Sequence, residues 1–211
     1  MKHFVAITIM VAMLGSHEVY SQFSLNAGLS LSKWEGDDIV GTVKSRPGFH
    51  LGFNYQVVSS SSNSVRFSPG LRYHQKGTRI ETVDVFEGFP GQQIRNEVTV
   101  SSKLNYLEIP LKFSFQLMDN LFAICEPSIS ILLNDDHKFT NVMCLDGNCT
   151  GFSESFDAPI NDSEISIGIG LGYRIFSKTE LLLTYQLGQS QLVSDVDAKN
   201  RTLMISTQIR F

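Results

Sequence analysis

Few residues in this chain have the type and spacing to do chemistry. The histidines outside the first stretch are His50, His74 and His137. With Glu108 and one of many serines, His50 or His74 could complete a set of serine, base and acid. Such a set cleaves esters or peptides. The spacing fits no hydrolase motif, and serine is common enough to complete one by chance, so interior packing is the stronger reading. Cys144 and Cys149 enclose a turn signal, Asp146-Gly147. Both lie in a long connection, and a local disulfide is the reading preferred over a metal site, which would have only His137 nearby. Cys125 falls on an apolar strand face and reads as a small hydrophobe. The aspartates Asp37, Asp38, Asp135, Asp136, Asp146, Asp157 and Asp162 fall in the connections. Weak divalent-cation binding is one reading of them, and a solvated acidic surface is the preferred one. No cofactor is expected.

A second group of charges recurs in mid-segment: Arg66, Arg72, Lys112, Arg174 and Arg210 with Glu108, Glu126 and Glu180. Both signs share the polar face of alternating segments. In a narrow interior they would neutralise one another, as buried charges must. The spacing sets Lys112 near Glu126 and Arg174 near Glu180, each across a short turn.

The segments that would carry these residues alternate with period two, the signature of strands. Eight are expected: Phe23–Trp34, Arg46–Val57, Ser64–Lys76, Lys103–Leu117, Leu121–Leu133, Glu164–Phe176, Thr179–Gln189 and Lys199–Phe211. The fourth is clearest, with Leu107, Ile109, Leu111, Phe113, Phe115 and Leu117 set against Glu108, Lys112, Ser114 and Gln116. Leu182 and Met204 interrupt the polar face. Each segment reaches the ~9–11 residues of a tilted transmembrane strand.

Connections alternate between short (Val58–Asn63, Met118–Asn120, Phe176–Lys178) and long (Glu35–Ser45, Gly77–Ser102, Asn134–Ser163, Ser190–Ala198). Short turns at one end and long loops at the other suit an outer-membrane barrel. A soluble lipocalin-like barrel would show the same alternation with its apolar face inward. Three features favour the membrane: Gly, Ser, Asn and Gln on the polar face, paired mid-strand charges, and aromatics such as Tyr55, Tyr73, Tyr173 and Tyr185 for interfacial belts.

The whole composition agrees. Of 211 residues, 42% are hydrophobic and 18% charged, which is too polar for a helical membrane protein and too apolar for disorder. The net charge of -4, with dispersed Lys and Arg, gives no basic stripe for nucleic acid. The only long apolar run is Phe4–Leu14, behind Lys2 and His3. It is too short for a transmembrane helix and reads as a secretory signal peptide. Val19-Tyr20-Ser21 supplies the cleavage site, so residues 1–21 form the signal and 22–211 the barrel domain, beginning at Gln22.

Five stretches carry a family resemblance: Asn26-Ala27-Gly28-Leu29-Ser30, Phe67 to Tyr73, Lys103-Leu104-Asn105-Tyr106-Leu107-Glu108-Ile109-Pro110-Leu111, Tyr185-Gln186-Leu187-Gly188, and Asn200-Arg201 to Phe211. They resemble the PorT-like outer-membrane β-barrel family of Bacteroidetes-type bacteria, over the chain that follows the signal segment. Thr184 stands where that family often carries Arg. The resemblance implies an eight-stranded antiparallel up-and-down transmembrane barrel with short periplasmic turns and long extracellular loops. The family takes its name from a member linked to type IX secretion, but most relatives have no assigned activity, and that role is not carried over. Phe211 on an amphipathic last strand resembles the signal read by the barrel insertion machinery.

The expected location is the outer membrane, with lipid, the insertion machinery and a protein partner at the extracellular loops as contacts. The expected role is non-enzymatic: envelope integrity, adhesion or partner binding. Side chains fill an eight-stranded interior, which argues against an open pore. The alternatives are an accessory of a secretion or transport system and a barrel enzyme hydrolysing lipid or peptide at its rim.

Overall fold

The computed structural model describes residues 21–57, 65–87, 93–145, 148–193 and 196–211. The proposed signal segment, through residue 20, lies outside them, as do the first short turn and Asp146-Gly147. The strands are β1 (Ser21–Glu35), β2 (Thr42–Val57), β3 (Val65–Glu87), β4 (Gln93–Gln116), β5 (Leu121–Leu145), β6 (Asn148–Phe156), β7 (Ser163–Phe176), β8 (Thr179–Gly188) and β9 (Lys199–Arg210). No α-helix occurs among the described residues.

All pairings are antiparallel. β1 pairs with both β2 and β9, and β4 with β5, so the sheet closes as β1-β2-β3-β4-β5-β7-β8-β9. Eight strands therefore make the barrel, and β6 stands apart, paired only to the far end of β5. Closure leaves no strand edge inside the bilayer, which is the condition for a sheet to cross it.

The faces are sorted the way a membrane barrel requires. Leu29, Leu51 and Ile205 are 72%, 57% and 59% exposed on the outside. Asn26, Ser30, His50, Arg72, Glu108, Ser130 and Gln186 are buried in the lumen. A continuous apolar skin over a polar interior is untenable in water and stable in hydrocarbon. The lumen is narrow enough that neighbouring backbones crowd it. A Cβ on Gly28 would lie 2.1 Å from Ile205 O and 2.7 Å from His50 Cε1.

Small apolar clusters cross the lumen near both ends. Phe122, Ile124 and Leu182 pack near the short turns. Trp34, Leu104, Tyr106 and Leu192 pack near the long loops. Leu182 and Met204, which interrupt the polar alternation, are buried inside the barrel.

Three strands run well past their expected bounds. β3 continues to Glu87, β4 begins at Gln93 and β5 reaches Leu145. The expected loops Gly77–Ser102 and Asn134–Ser163 are thus largely ladder, the second containing the hairpin of β5 with β6. β-Branched and aromatic residues hold this extension: Thr78, Ile80, Thr82, Val98, Thr99, Val100 and Phe139.

Candidate functional site

The barrel interior holds most of the buried charge, and strand register places it. Arg72 is the cross-strand partner of Glu108, and its Nε donates to Glu108 Oε2 at 2.7 Å. Arg72 also lies 2.8 Å from Glu126. Lys76 is 2.8 Å from Glu108 and 3.3 Å from Glu164. Ser130 donates to Glu108 Oε1 at 3.1 Å. Near the short turns Glu180 Oε1 collects Arg66 at 2.9 Å, Arg210 at 3.3 Å and Arg174 at 3.7 Å. Positive and negative charges therefore alternate up the lumen from Glu180 to Glu164.

Lys112 behaves differently from the expected pairing. The flanking pairs Pro110↔Ser128 and Phe113↔Cys125 set it opposite Glu126. Its ammonium instead donates to Gln208 of β9, and Glu126 takes Arg72. A lysine stem is long enough to cross a narrow lumen, so strand register does not decide its partner. Arg174 and Glu180 are register partners in the β7–β8 hairpin. Lys76 and Glu164 were not among the expected network residues. Both fall on the polar parity of their strands, so the signal was present in the alternation.

Each of the three histidines among the described residues has a polar neighbour. His50 Nε2 and Ser206 Oγ are 2.7 Å apart, and His74 Nδ1 is 3.2 Å from Glu108. The His50 and His74 rings meet edge to face at 5.5 Å. These groups lie between the two apolar clusters, closed to substrate. His137 has the geometry closest to a hydrolase. Its Nδ1 is 2.9 Å from Ser102 Oγ and its Nε2 2.8 Å from Asp135 Oδ2. Ser102 and His137 are a cross-strand pair of the β4–β5 ladder, and Ser102 is 1% exposed. A nucleophile must reach its substrate, and this hydroxyl does not.

Beyond the ring the barrel's polarity largely reverses. The register aligns Thr82, Val98, Asn141 and Phe152 in one row, and Ile80, Val100, Phe139 and Glu154 in the next. These rows continue the lumen-facing side through the buried residues Thr78, Ser102 and His137. The opposite side carries Arg79, Glu81, Arg95, Glu97 and Lys138. Lys44 donates to Glu81, and Arg79 Nε lies 2.8 Å from it. The hydrogen bond from Lys44 holds the Glu81 carboxyl below its usual range. Phe152 and Phe86 are 57% and 55% exposed on the inner side.

Cys144 and Cys149 are cross-strand partners at the tip of the β5–β6 hairpin and form a disulfide, with Cα atoms 4.0 Å apart. Cys125 is a free, half-buried thiol. No group of three or more His, Cys, Asp or Glu able to hold a metal occurs among the described residues. Of the acidic loop residues, Asp38 accepts from the Asp197 N–H at 2.9 Å. Phe211 is exposed, and its N–H donates to Phe23 O at 2.9 Å.

A closed ring, an apolar skin and a charged lumen define a small outer-membrane barrel. The match to the outer membrane protein beta-barrel domain spans residues 14–191. The chain belongs to that family. Its location is the outer membrane, and in such barrels the short turns face the periplasm and the long connections the outside. No curated protein matches it. Among solved structures it is similar to Ail, the attachment invasion locus protein of Yersinia pestis, at 16% identity and TM-score 0.45, covering 90% of this chain and 99% of that one. Neisserial surface protein A is similar at 12% and 0.43, covering 90% and 97%. OprG from Pseudomonas aeruginosa is similar at 11% and 0.38, covering 92% and 97%. At these identities and TM-scores the likeness carries no argument about this chain.

Proposed function

We propose that this outer-membrane barrel is non-enzymatic and presents its extracellular strands as a binding surface, for adhesion, envelope integrity or a protein partner. One observation carries the reading. β3, β4 and β5 are 23, 24 and 25 residues long, against the ~9–11 that a membrane crossing needs. The surplus is an ordered sheet, tipped by a disulfide, that exposes Phe86, Met143 and Phe152. Large apolar side chains held rigidly above a membrane suit contact with another molecule.

In the same reading residues 1–21 are a signal peptide, the chain is a member of the PorT-like branch, and Phe211 is read by the insertion machinery. The charges of the lumen serve assembly and rigidity and take no part in chemistry. N-terminal sequencing of protein from outer membranes tests the first point, with Gln22 expected.

The test of the function replaces residues 139–153 by a short turn. Heat-modifiable mobility on SDS gels reports whether the barrel still folds. Envelope permeability and cell attachment are then compared with wild type. Loss of either in a folded, inserted barrel supports the reading, and full retention of both overturns it.

A further inference from the structure

We propose that the periplasmic mouth of the barrel holds a phosphate group through Arg66, Arg174 and Arg210. All three guanidinium groups converge on one oxygen, Glu180 Oε1, at 2.9, 3.7 and 3.3 Å. One carboxylate neutralises one of them. Its other oxygen is already approached by Gln208 Nε2 at 3.4 Å. Each guanidinium carries five N–H donors and no acceptor, so a single carboxylate leaves most of them unused.

The unused donors are visible. Arg66 Nη2 and Arg210 Nε are buried and have no hydrogen-bond partner, and Arg174 Nε reaches Glu180 Oε1 only at 3.7 Å, beyond a hydrogen bond. Arg66 is held from below by the Phe122 ring, 4.5 Å from its Cζ, and Arg210 Nη2 donates to Ser177 O at 3.1 Å. Arg66 and Arg210 are therefore fixed in place by the fold. Its side chains keep partial access, with exposures of 16%, 28% and 13% for Arg66, Arg174 and Arg210. A cleft of about 260 Å³, lined by Ser177, Lys178, Arg210 and Phe211, opens beside it. Among the described residues Asp119, in the neighbouring short turn, makes no ion pair with an arginine of the cluster.

Fixed guanidinium forks with spare donors match the tetrahedral oxygens of phosphate better than a single carboxylate does. The position favours a source. The short turns lie at the periplasmic leaflet, and Met118, Phe176 and Phe211 are 69%, 67% and 66% exposed around them. Exposed apolar side chains beside cations at an interface are the surroundings of a phospholipid headgroup. Free phosphate offers the same oxygens without the acyl chains.

The experiment uses full-length mature protein in an uncharged detergent. One arm adds phosphatidylglycerol, or phosphate-free diacylglycerol, and counts retained lipid by native mass spectrometry. The other titrates inorganic phosphate and follows the arginine Nε–H resonances by NMR. Arg174→Gln and Arg210→Gln are run beside wild type, with folding checked by heat-modifiable mobility. Arg66 is left intact because it packs on Phe122. Retention of phosphatidylglycerol over diacylglycerol, cut about tenfold in either variant, is expected for lost charge-assisted hydrogen bonds. Saturable shifts with phosphate but no selective lipid retention would keep the site and assign it to the free anion. Equal retention of both lipids together with no saturable shift, or variants indistinguishable from wild type, would overturn the proposal.

Discussion

Arg72 and Glu108 face each other on β3 and β4, and the Arg72 Nε bond to Glu108 Oε2 is 2.7 Å long. Glu108 is fully buried and also meets Lys76 at 2.8 Å. Removing its charge leaves Arg72 only Glu126, at 2.8 Å, and Lys76 only Glu164, at 3.3 Å. Breaking a buried pair on one side costs about 3–5 kcal/mol. Glu108→Gln is therefore expected to lower the urea midpoint of unfolding from lipid vesicles. Glu164→Gln, which leaves Lys76 paired to Glu108, is expected to cost less. An unchanged midpoint for Glu108→Gln would mean that the lumen charges do not hold the barrel.

The outer face gives a test with opposite chemistry. Leu111 and Ile167 are exposed to lipid in mid-strand, and Arg at such positions costs ~2–4 kcal/mol. Leu111→Arg and Ile167→Arg are expected to reduce insertion, while Ser114→Ala is mild. The inward glycines divide. A Cβ on Gly168 meets Thr184 Cγ2 at 3.1 Å, a small adjustment, but on Gly170 it meets Leu183 O at 2.2 Å. Gly168→Ala should insert normally and Gly170→Ala poorly, measured by the folded fraction on unheated SDS gels.

The ring strands were legible because hydrocarbon outside and polar side chains inside impose one phase on the alternation. The extension was not, because that phase largely reverses above the membrane. Thr78 still faces inward with polar Lys76, but Ile80 on the same parity is apolar, and the outward neighbours Arg79 and Glu81 are charged. Water outside the bilayer removes the need for an apolar outer band, so a search for one stops near Lys76. Charge pairing was legible where register sets the partners side by side across a short turn, as at Arg174 and Glu180. It was not legible at Lys112, whose reach across the lumen to Gln208 depends on closure of the ring.

Acid is expected to loosen the extracellular sheet before the barrel. Lys44 and Arg79 both engage Glu81, joining the end of β2 to β3. The hydrogen bond from Lys44 lowers the Glu81 pKa in the folded protein. A carboxyl with a depressed folded pKa contributes stability above its unfolded pKa, and that stability is lost as pH falls through the folded value. Protection of the amides of 42–45, relative to their intrinsic exchange rates, is therefore expected to fall below the usual carboxylate range, and to be low already at neutral pH in Glu81→Gln. Equal protection at both pH values in wild type would remove Glu81 from the account.

The disulfide separates hairpin stability from barrel stability. Cys144 and Cys149 close a short loop at the tip of β5 and β6, a strand that no barrel strand other than β5 touches. In the chain-entropy account a loop this short gives ~2 kcal/mol. That stabilisation acts on the hairpin, because the ring closes through β4, β5 and β7 without β6. Cys144→Ser with Cys149→Ser is expected to leave heat-modifiable mobility and the urea midpoint unchanged. It is also expected to speed amide exchange and proteolysis at 139–153. Alkylation of unreduced protein, read by mass spectrometry, is expected to label Cys125 at most and spare the pair. Free thiols at both hairpin positions would remove the disulfide, and a lowered barrel midpoint in the double variant would show that the hairpin supports the ring.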